Sequence, residues 1–383
     1  MKLRVLHLAH DHVSVRRLRA QLQQRPGEDH QWAVVGAVEK RSPEDGWTLD
    51  RKEALPDEVV NGQWDAIVVH RMRYPTPRWL LSMPEGPMVV WATWGDDYYR
   101  VFPALSRGIY LPATRLLLGM IGKYSVSLLD GIQRLRNALL PRQWMVTPRD
   151  LELAAMRRVD GIANMFESEF IAIPYLPKKP GYCYSSWYNA VPEHIPHLEA
   201  SRDAEGPILC GTSASTTGNH LDFLWRRRRL LRSSGRRVRM VLAYGSGRYA
   251  KALRLLGKVL LNGQLEGLRK RLSLDEYYRY LAECTVVVYN QIRIESTGNV
   301  VLSFLMGHRV LMRRESHLYK RYSSMGFVVG DASARELDLS PLGDEDRRHN
   351  RELVLRSFGD EAVNARFDVF MVDLLNVAGR NKT

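Results

Sequence analysis

Short apolar runs punctuate the first half of the chain at residues 3–9, 32–38, 66–70 and 88–93, with polar or helical stretches such as the basic segment 13–24 between them. These runs are rich in Val and Ile and do not alternate with polar residues, as expected of strands buried on both faces. Strand, helix, strand in succession predicts a parallel α/β sheet. Residues 161–163 and 181–184 are short apolar segments that complete it. Residues 191–207 hold three prolines, several charges and no periodicity, and read as a linker.

The alternation then repeats. Residues 207–210 predict a strand closed by Gly211, 220–233 a basic helix, and 237–244 a strand closed by Gly245. Ser273 with Glu276 three residues on has the form of a capping box opening a helix over 274–283, followed by a strand at 285–289. Thr297 is placed to cap a helix over 298–306 that Gly307 ends, and 309–312 is a further strand. The pattern predicts two α/β domains with one cleft: an N-terminal domain over 1–190, a linker over 191–206 and a C-terminal domain over 207–360. A last helix lies over 361–383, for which packing back on the N-terminal domain is one option. Ligands of such sheets sit outside the carboxyl ends of the strands, so the residues just after each strand are the candidates.

Composition supports two cores, because 383 residues exceed the ~250–300 at which one core stops growing. Three cysteines, Cys183, Cys210 and Cys284, lack any CxxC spacing, which argues against a disulfide framework or zinc site and for reduced, buried thiols. The opening residues resemble a signal peptide only slightly, since His7, His10, Asp11 and His12 interrupt the apolar stretch, and they read better as a first strand. No apolar run reaches the ~18 residues that cross a bilayer. The net charge of +14 calls for an acidic partner, whether nucleic acid, anionic lipid or a phosphorylated substrate.

Four strand exits carry candidate chemistry. After the strand at 207–210, Gly211 and Gly218 permit close backbone approach, Ser213, Ser215, Thr216 and Thr217 offer hydroxyls, and the helix beginning at His220 favours an anion. An ordinary turn has the same composition, and no Gly-Lys-Ser/Thr makes it a P-loop. After 285–289, Arg293 suits a diphosphate and Glu295 suits ribose or sugar hydroxyls, with a solvated loop as the plain alternative. Trp91 to Tyr99 mixes aromatic rings, which stack on sugars, with Asp96 and Asp97, either of which suits a general base; acidic capping of a helix explains them equally. The Asp-Asp pair lacks the spacing of a metal site. His10 and His12 end the first strand, where a histidine binds an acceptor, acts as a base or serves only the local structure. Residues 101–144 mix apolar residues with Arg and Lys, as does an interfacial segment or a buried amphipathic helix. The arginines Arg226 to Arg229, Arg232, Arg236, Arg237 and Arg239 form a basic cluster without any nucleic-acid-binding motif.

Taken together these blocks resemble the TDP-N-acetylfucosamine:lipid II N-acetylfucosaminyltransferase family, the 4-acetamidofucose transferases of enterobacterial common antigen synthesis. Trp91-Ala-Thr-Trp-Gly-Asp-Asp-Tyr-Tyr99 is similar to the family's Trp-x-x-Trp-Gly-x-Asp-x-Tyr block. The loop from Gly211 to His220 stands where the family has a Gly-Asn-Ser-Gly-Asp loop ending in His. Residues 271–281 resemble its Leu-x-x-Asp-x-Tyr-x-x-Leu helix, 293–307 its Arg-Gln-Gln-x-x-Gly helix entry, and Arg314-Glu315 its Arg-Glu pair. The chain departs from the family at Ala214-Ser215 and at Glu295.

The resemblance implies a GT-B glycosyltransferase fold, α/β, with two Rossmann-like domains facing a central cleft. It implies a TDP-sugar donor held by Gly211, Ser213, His220, Gly245, Arg293, Glu295, Gly298, Asn299, Arg314 and Glu315. A polyprenyl-diphosphate-linked or other glycan acceptor would lie against Trp94, Tyr99 and His10, with Asp97 the first choice as base and Asp96 and His12 behind it. Neither a metal nor a cofactor is expected. The enzyme would act at the cytoplasmic side of the inner membrane, as a peripheral protein touching anionic lipid. Rival readings are a transferase using a UDP- or GDP-sugar, an inactive transferase-like partner, and a basic nucleic-acid-binding protein.

Overall fold

The computed structural model describes residues 3–23, 25, 27–36, 46–102, 108–121, 148–163, 183–184, 191 and 198–380. Most of the stretch 101–144, much of the linker, and the start of the segment 181–184 lie outside them. The chain divides into two compact units: residues 1–103, 143–190 and 360–383 form unit 1, and residues 104–142 and 191–359 form unit 2.

Unit 1 contains, in chain order, β1 (Leu3–His10), α1 (Val13–Gln23), β2 (Glu28–Val35), β3 (Trp47–Leu49), α2 (Asp57–Val60), β4 (Ala66–His70), α3 (Thr76–Ser82), β5 (Met88–Ala92) and α4 (Asp96–Val101). The helix α5 (Pro112–Met120) follows in unit 2, and the chain returns to unit 1 with α6 (Pro148–Arg157), β6 (Gly161–Ala163) and β7 (Cys183–Tyr184). Among the described residues its seven strands are all parallel, in the order β3-β2-β1-β4-β5-β6-β7. Every residue of β4 and β5 is buried, because crossover helices cover both faces.

Unit 2 holds α5, then β8 (Ile208–Cys210), α7 (His220–Ser233), β9 (Val238–Val241), α8 (Gly247–Leu260), β10 (Leu265–Leu268), α9 (Leu274–Ala282) and β11 (Val286–Tyr289). It ends with α10 (Thr297–Met306), β12 (Arg309–Met312), α11 (His317–Ser324), β13 (Gly330–Asp331) and α12 (Asp344–Phe358). Its six strands are again parallel, in the order β10-β9-β8-β11-β12-β13. The capping box of Ser273 and Glu276 opens α9. In both sheets the strand order reverses beside the first strand, between β1 and β4 and between β8 and β11. A doubly wound sheet binds its ligand at that reversal.

The units exchange segments: the return of the last helix was one option from sequence, whereas the transfer of a segment from the N-terminal half was not expected. Residues 108–121 lie inside the span expected for the N-terminal domain but pack in unit 2. Leu117 and Leu118 join its core, and the Asp222 carboxylate accepts from the Ala113 and Thr114 amides at 2.8 and 2.9 Å, capping α5. In the other direction the last helix, α13 (Asp360–Arg380), places Val363, Phe367, Phe370, Met371 and Leu374 in the core of unit 1.

The strand β2 begins four residues before the expected apolar run, and its polar start has an internal role. The His7 and His70 rings are hydrogen bonded at 2.8 Å, His7 and His30 at 3.0 Å, and His30 meets the Glu28 carboxylate at 2.8 Å. Burial and the neighbouring histidines hold His7 well below its ordinary pKa, and burial lowers His70 to about 3. Burial raises Glu28, but bonds from His30 and Arg25 outweigh it and bring the carboxyl to about 2. His7 and His70 are thus neutral rings in a hydrogen-bonded chain that ends on the ionised Glu28 carboxylate.

Candidate active site

In unit 2 the loops after β8 and β11 meet at the strand-order reversal. Glu295 Oε2 accepts from Ser215 Oγ at 3.0 Å and from Thr217 Oγ1 at 2.8 Å, and pairs with the Arg293 guanidinium at 2.6 Å. Arg293 Nε also donates to Thr217 Oγ1 at 2.8 Å. The sequence therefore located both halves of this cluster, and the fold joins them. Its internal ion pair offsets the charge of Arg293, and the start of α10 adds the partial positive charge of a helix N-terminus. The N-cap residue Ser296, at φ 62°, makes no side-chain capping bond there. Gly298 lies exposed in the first turn, and Asn299 accepts from the Tyr277 hydroxyl at 2.9 Å.

The glycines of the first loop have a role in the fold itself. The buried His220 ring lies against both Gly211 and Gly218, so that a Cβ on either would collide with it. Gly211 also has φ 76°, where a side chain is strained. Burial lowers His220 to about 4 despite the opposing charge of Glu295, which keeps the ring neutral. Gly245, at φ 97°, packs on the Ala214 backbone, where a Cβ would come within 2.6 Å. Ser213 remains half-buried, with Oγ accepting from the Ser215 amide at 3.3 Å.

Beyond β12 the expected pair changes partners. Arg314 and Glu315 are both exposed. The largely enclosed guanidinium is that of Arg313, which bonds Glu315 at 3.0 Å and holds Nε in the interior with no partner among the described residues. Tyr244, after β9, is a second residue not singled out from sequence; its ring is exposed, with the Arg271 guanidinium 5.0 Å from its centroid. An aromatic residue followed by glycine at a strand exit was the available signal.

In unit 1 the loops after β1, β4 and β5 gather the other candidates. Asp97 is fully buried. Its Oδ2 accepts from the Trp91 indole at 2.9 Å and the Met72 amide at 3.1 Å, and its Oδ1 from the Trp94 amide at 3.2 Å. Burial, with the charge of Asp96, raises its pKa to about 6. A carboxylate enclosed by three donors ties the loops together, which corrects its assignment as the accessible base. Tyr99 is likewise buried, whereas Trp94 is half-buried with its ring 4.4 Å from that of His12. Asp96 is more open and pairs with Arg71 at 2.5 Å and Arg73 at 3.5 Å. Arg71, absent from the sequence reading, has φ 73° and a buried Nε without a partner among the described residues.

Hydrogen bonds separate the two histidines by role. His12 Nδ1 accepts from the Ser14 amide at 3.2 Å, so the neutral ring carries its proton on Nε2 and is a donor outward. His10 Nε2–H donates to the Arg73 carbonyl at 3.0 Å, which leaves the lone pair of the neutral ring on Nδ1. Burial lowers the pKa of both. Among the described residues no group of three or more His, Cys, Asp or Glu is arranged to hold a metal, and no helix is long and apolar enough to cross a membrane.

No family model matches the sequence, and no curated protein sequence matches it. Solved structures do. An α,α-trehalose-phosphate synthase (UDP-forming) from Burkholderia vietnamiensis aligns over 100% of both chains with TM-score 0.61 and 10% identity. A sucrose-phosphate synthase from Thermosynechococcus elongatus aligns over 98% of this chain and 100% of its own, with TM-score 0.58 and 11% identity. HepE from Anabaena, solved with UDP, aligns over 97% and 100%, with TM-score 0.57 and 10% identity.

The fold is GT-B.

The sequence expectation of a two-domain α/β fold therefore holds, and at these identities the likeness is one of fold. Within the GT-B frame, each unit presents its polar cluster at the strand-order reversal of its own sheet: Arg293, Glu295, Ser215 and Thr217 in one, and His10, His12, Asp96 and Arg71 in the other.

Proposed function

We propose that the protein is a glycosyltransferase that takes a sugar from a nucleotide-sugar donor bound by unit 2 and transfers it to an acceptor bound by unit 1. The observation that carries this reading is the Arg293–Glu295–Ser215–Thr217 cluster at the strand-order reversal of a GT-B unit, beside an α10 N-terminus without a side-chain cap. The diphosphate lies on the α10 amides and draws Arg293 from Glu295, whose carboxylate then accepts from ribose or sugar hydroxyls. Tyr244 offers a face for the base, and Arg313 a further cation. As the bond from the anomeric carbon to the diphosphate breaks, these positive groups stabilise the departing charge. For an inverting reaction, His10 Nδ1 takes the proton of the attacking hydroxyl, Asp96 and Arg71 orient the acceptor, and His12 Nε2–H donates to it.

The family resemblance favours a TDP-linked 4-acetamido-4,6-dideoxyhexose, a lipid-linked glycan acceptor, and action as a peripheral protein at the cytoplasmic side of a membrane. The UDP named for the trehalose-phosphate synthase and held by HepE makes UDP the second donor to test, with GDP third. Thermal shift with TDP, UDP and GDP reads the choice, since a ligand of the folded state raises its stability. Glu295→Gln removes a carboxylate that competes with phosphate for Arg293 and is expected to tighten diphosphate binding by about 3–10-fold, whereas Arg293→Ala weakens it. If no nucleotide diphosphate stabilises the protein, the transferase reading is wrong.

A further inference from the structure

Helices α5, α7 and α8 share the core that covers one face of the unit 2 sheet, so their opposite sides point outward. Those sides are unusual in two respects. Six of the twelve large apolar side chains exposed among the described residues lie there: Leu116, Met120, Trp225, Leu255, Leu256 and Val259. The three helices also carry ten arginines and lysines against one acidic residue, Asp222, whose two oxygens cap α5. Not all of that charge faces outward. Arg227 is buried, with bonds at 3.0 and 3.1 Å to the Arg335 and Ala332 carbonyls. The neighbouring Arg236, also part of the sequence cluster, is buried on the Gly206 and Leu339 carbonyls. Arg226, Arg229, Arg248, Lys251 and Lys258 do lie exposed. Arg232 donates to the Leu260 and Val259 carbonyls at 2.7 and 3.1 Å, fixing α7 against the end of α8.

We propose that this face is where the protein lies on an anionic phospholipid bilayer. Leu255 and Val259, one turn apart on α8, enter the acyl boundary while Lys251 and Lys258, along one flank of them, meet lipid phosphates. Trp225, with the Arg228 guanidinium 4.5 Å from its ring, suits the headgroup level. Lipid fits better than nucleic acid because five of the six exposed side chains are aliphatic, whereas single strands are held by stacked aromatic rings. The proposal gives a surface to the membrane contact named above but does not depend on the donor or on transfer.

Flotation of the full chain with phosphatidylcholine vesicles, with and without phosphatidylglycerol, tests it. The wild-type protein is expected to float only with the anionic vesicles. Lys251→Glu with Lys258→Glu should lower that partition by about 10-fold or more. Leu255→Ser with Val259→Ser should leave a residual binding that salt removes. Thermal shift in solution confirms that both variants are folded, and it also separates failure of this surface from failure of nucleotide binding. Wild-type flotation by both folded variants overturns the proposal. So does loss of binding to a short RNA in the variants while flotation is kept.

Discussion

Asp97 turns on a single tertiary fact. Two adjacent acids at the start of a short helix read as caps or as a base, and nothing in the sequence distinguishes the one that faces outward. The structure places Asp97 beneath the loop, accepting from Trp91, Met72 and Trp94, and leaves Asp96 with Arg71 and Arg73 at the surface. Asp97→Ala strands three donors, and each unmet buried group costs ~1–3 kcal/mol. The variant is therefore expected to melt several degrees lower, while nucleotide binding by unit 2 is retained at temperatures where unit 1 stays folded. A calorimetric scan with a nucleotide titration checks both. An unchanged melt with transfer abolished would return Asp97 to the role of base. The histidines show the same limit: His10 and His12 were legible as candidates, but their opposite proton arrangements follow from a carbonyl of Arg73 and an amide of Ser14 that only the fold brings to them.

Among the elements, apolar runs and caps served well wherever burial was continuous. The strands β4 and β12 and the helix α7 have the bounds their residue patterns predict, and the capping box at Ser273 opens its helix. Polar or brief strands escaped. The residues at the start of β2 are polar because Glu28 and His30 belong to an internal hydrogen-bonded chain, and β3 and β10 are edge strands of three and four residues. In the loop between β8 and α7 the glycines have a second role that the sequence did not show, since they make room for His220. Gly211→Ala is expected to destabilise unit 2 by about 2 kcal/mol or more, from the collision and the positive φ together. His220→Ala vacates the space the new methyl needs, so the double variant should be more stable than the sum of the two single effects. Strict additivity in urea unfolding would show that the ring is not what Gly211 accommodates.

For the whole molecule, counting strands along the chain gave two sheets but not the ownership of the segments joining them. An amphipathic helix offers the same apolar stripe to either unit, so α5 and α13 were ambiguous until their partners were known. Their exchange has a consequence for any attempt to divide the protein. Ending the chain at Gly359 removes Val363, Phe367, Phe370, Met371 and Leu374 from the core of unit 1 and exposes the strands beneath them. Full burial of one such side chain is worth ~1.5–3 kcal/mol, so five of them rival the ~5–15 kcal/mol by which a whole protein is stable. Among the described residues the core of unit 2 takes α5 from the N-terminal half and nothing from α13, and so loses no buried residue. Hydrogen exchange on the truncated chain should therefore show amide protection lost along β1, β2 and β4 and kept along β8, β11 and β12. Protection retained in β1 would mean that α13 only lies on unit 1, and that the sheet with α1 makes a sufficient core without it.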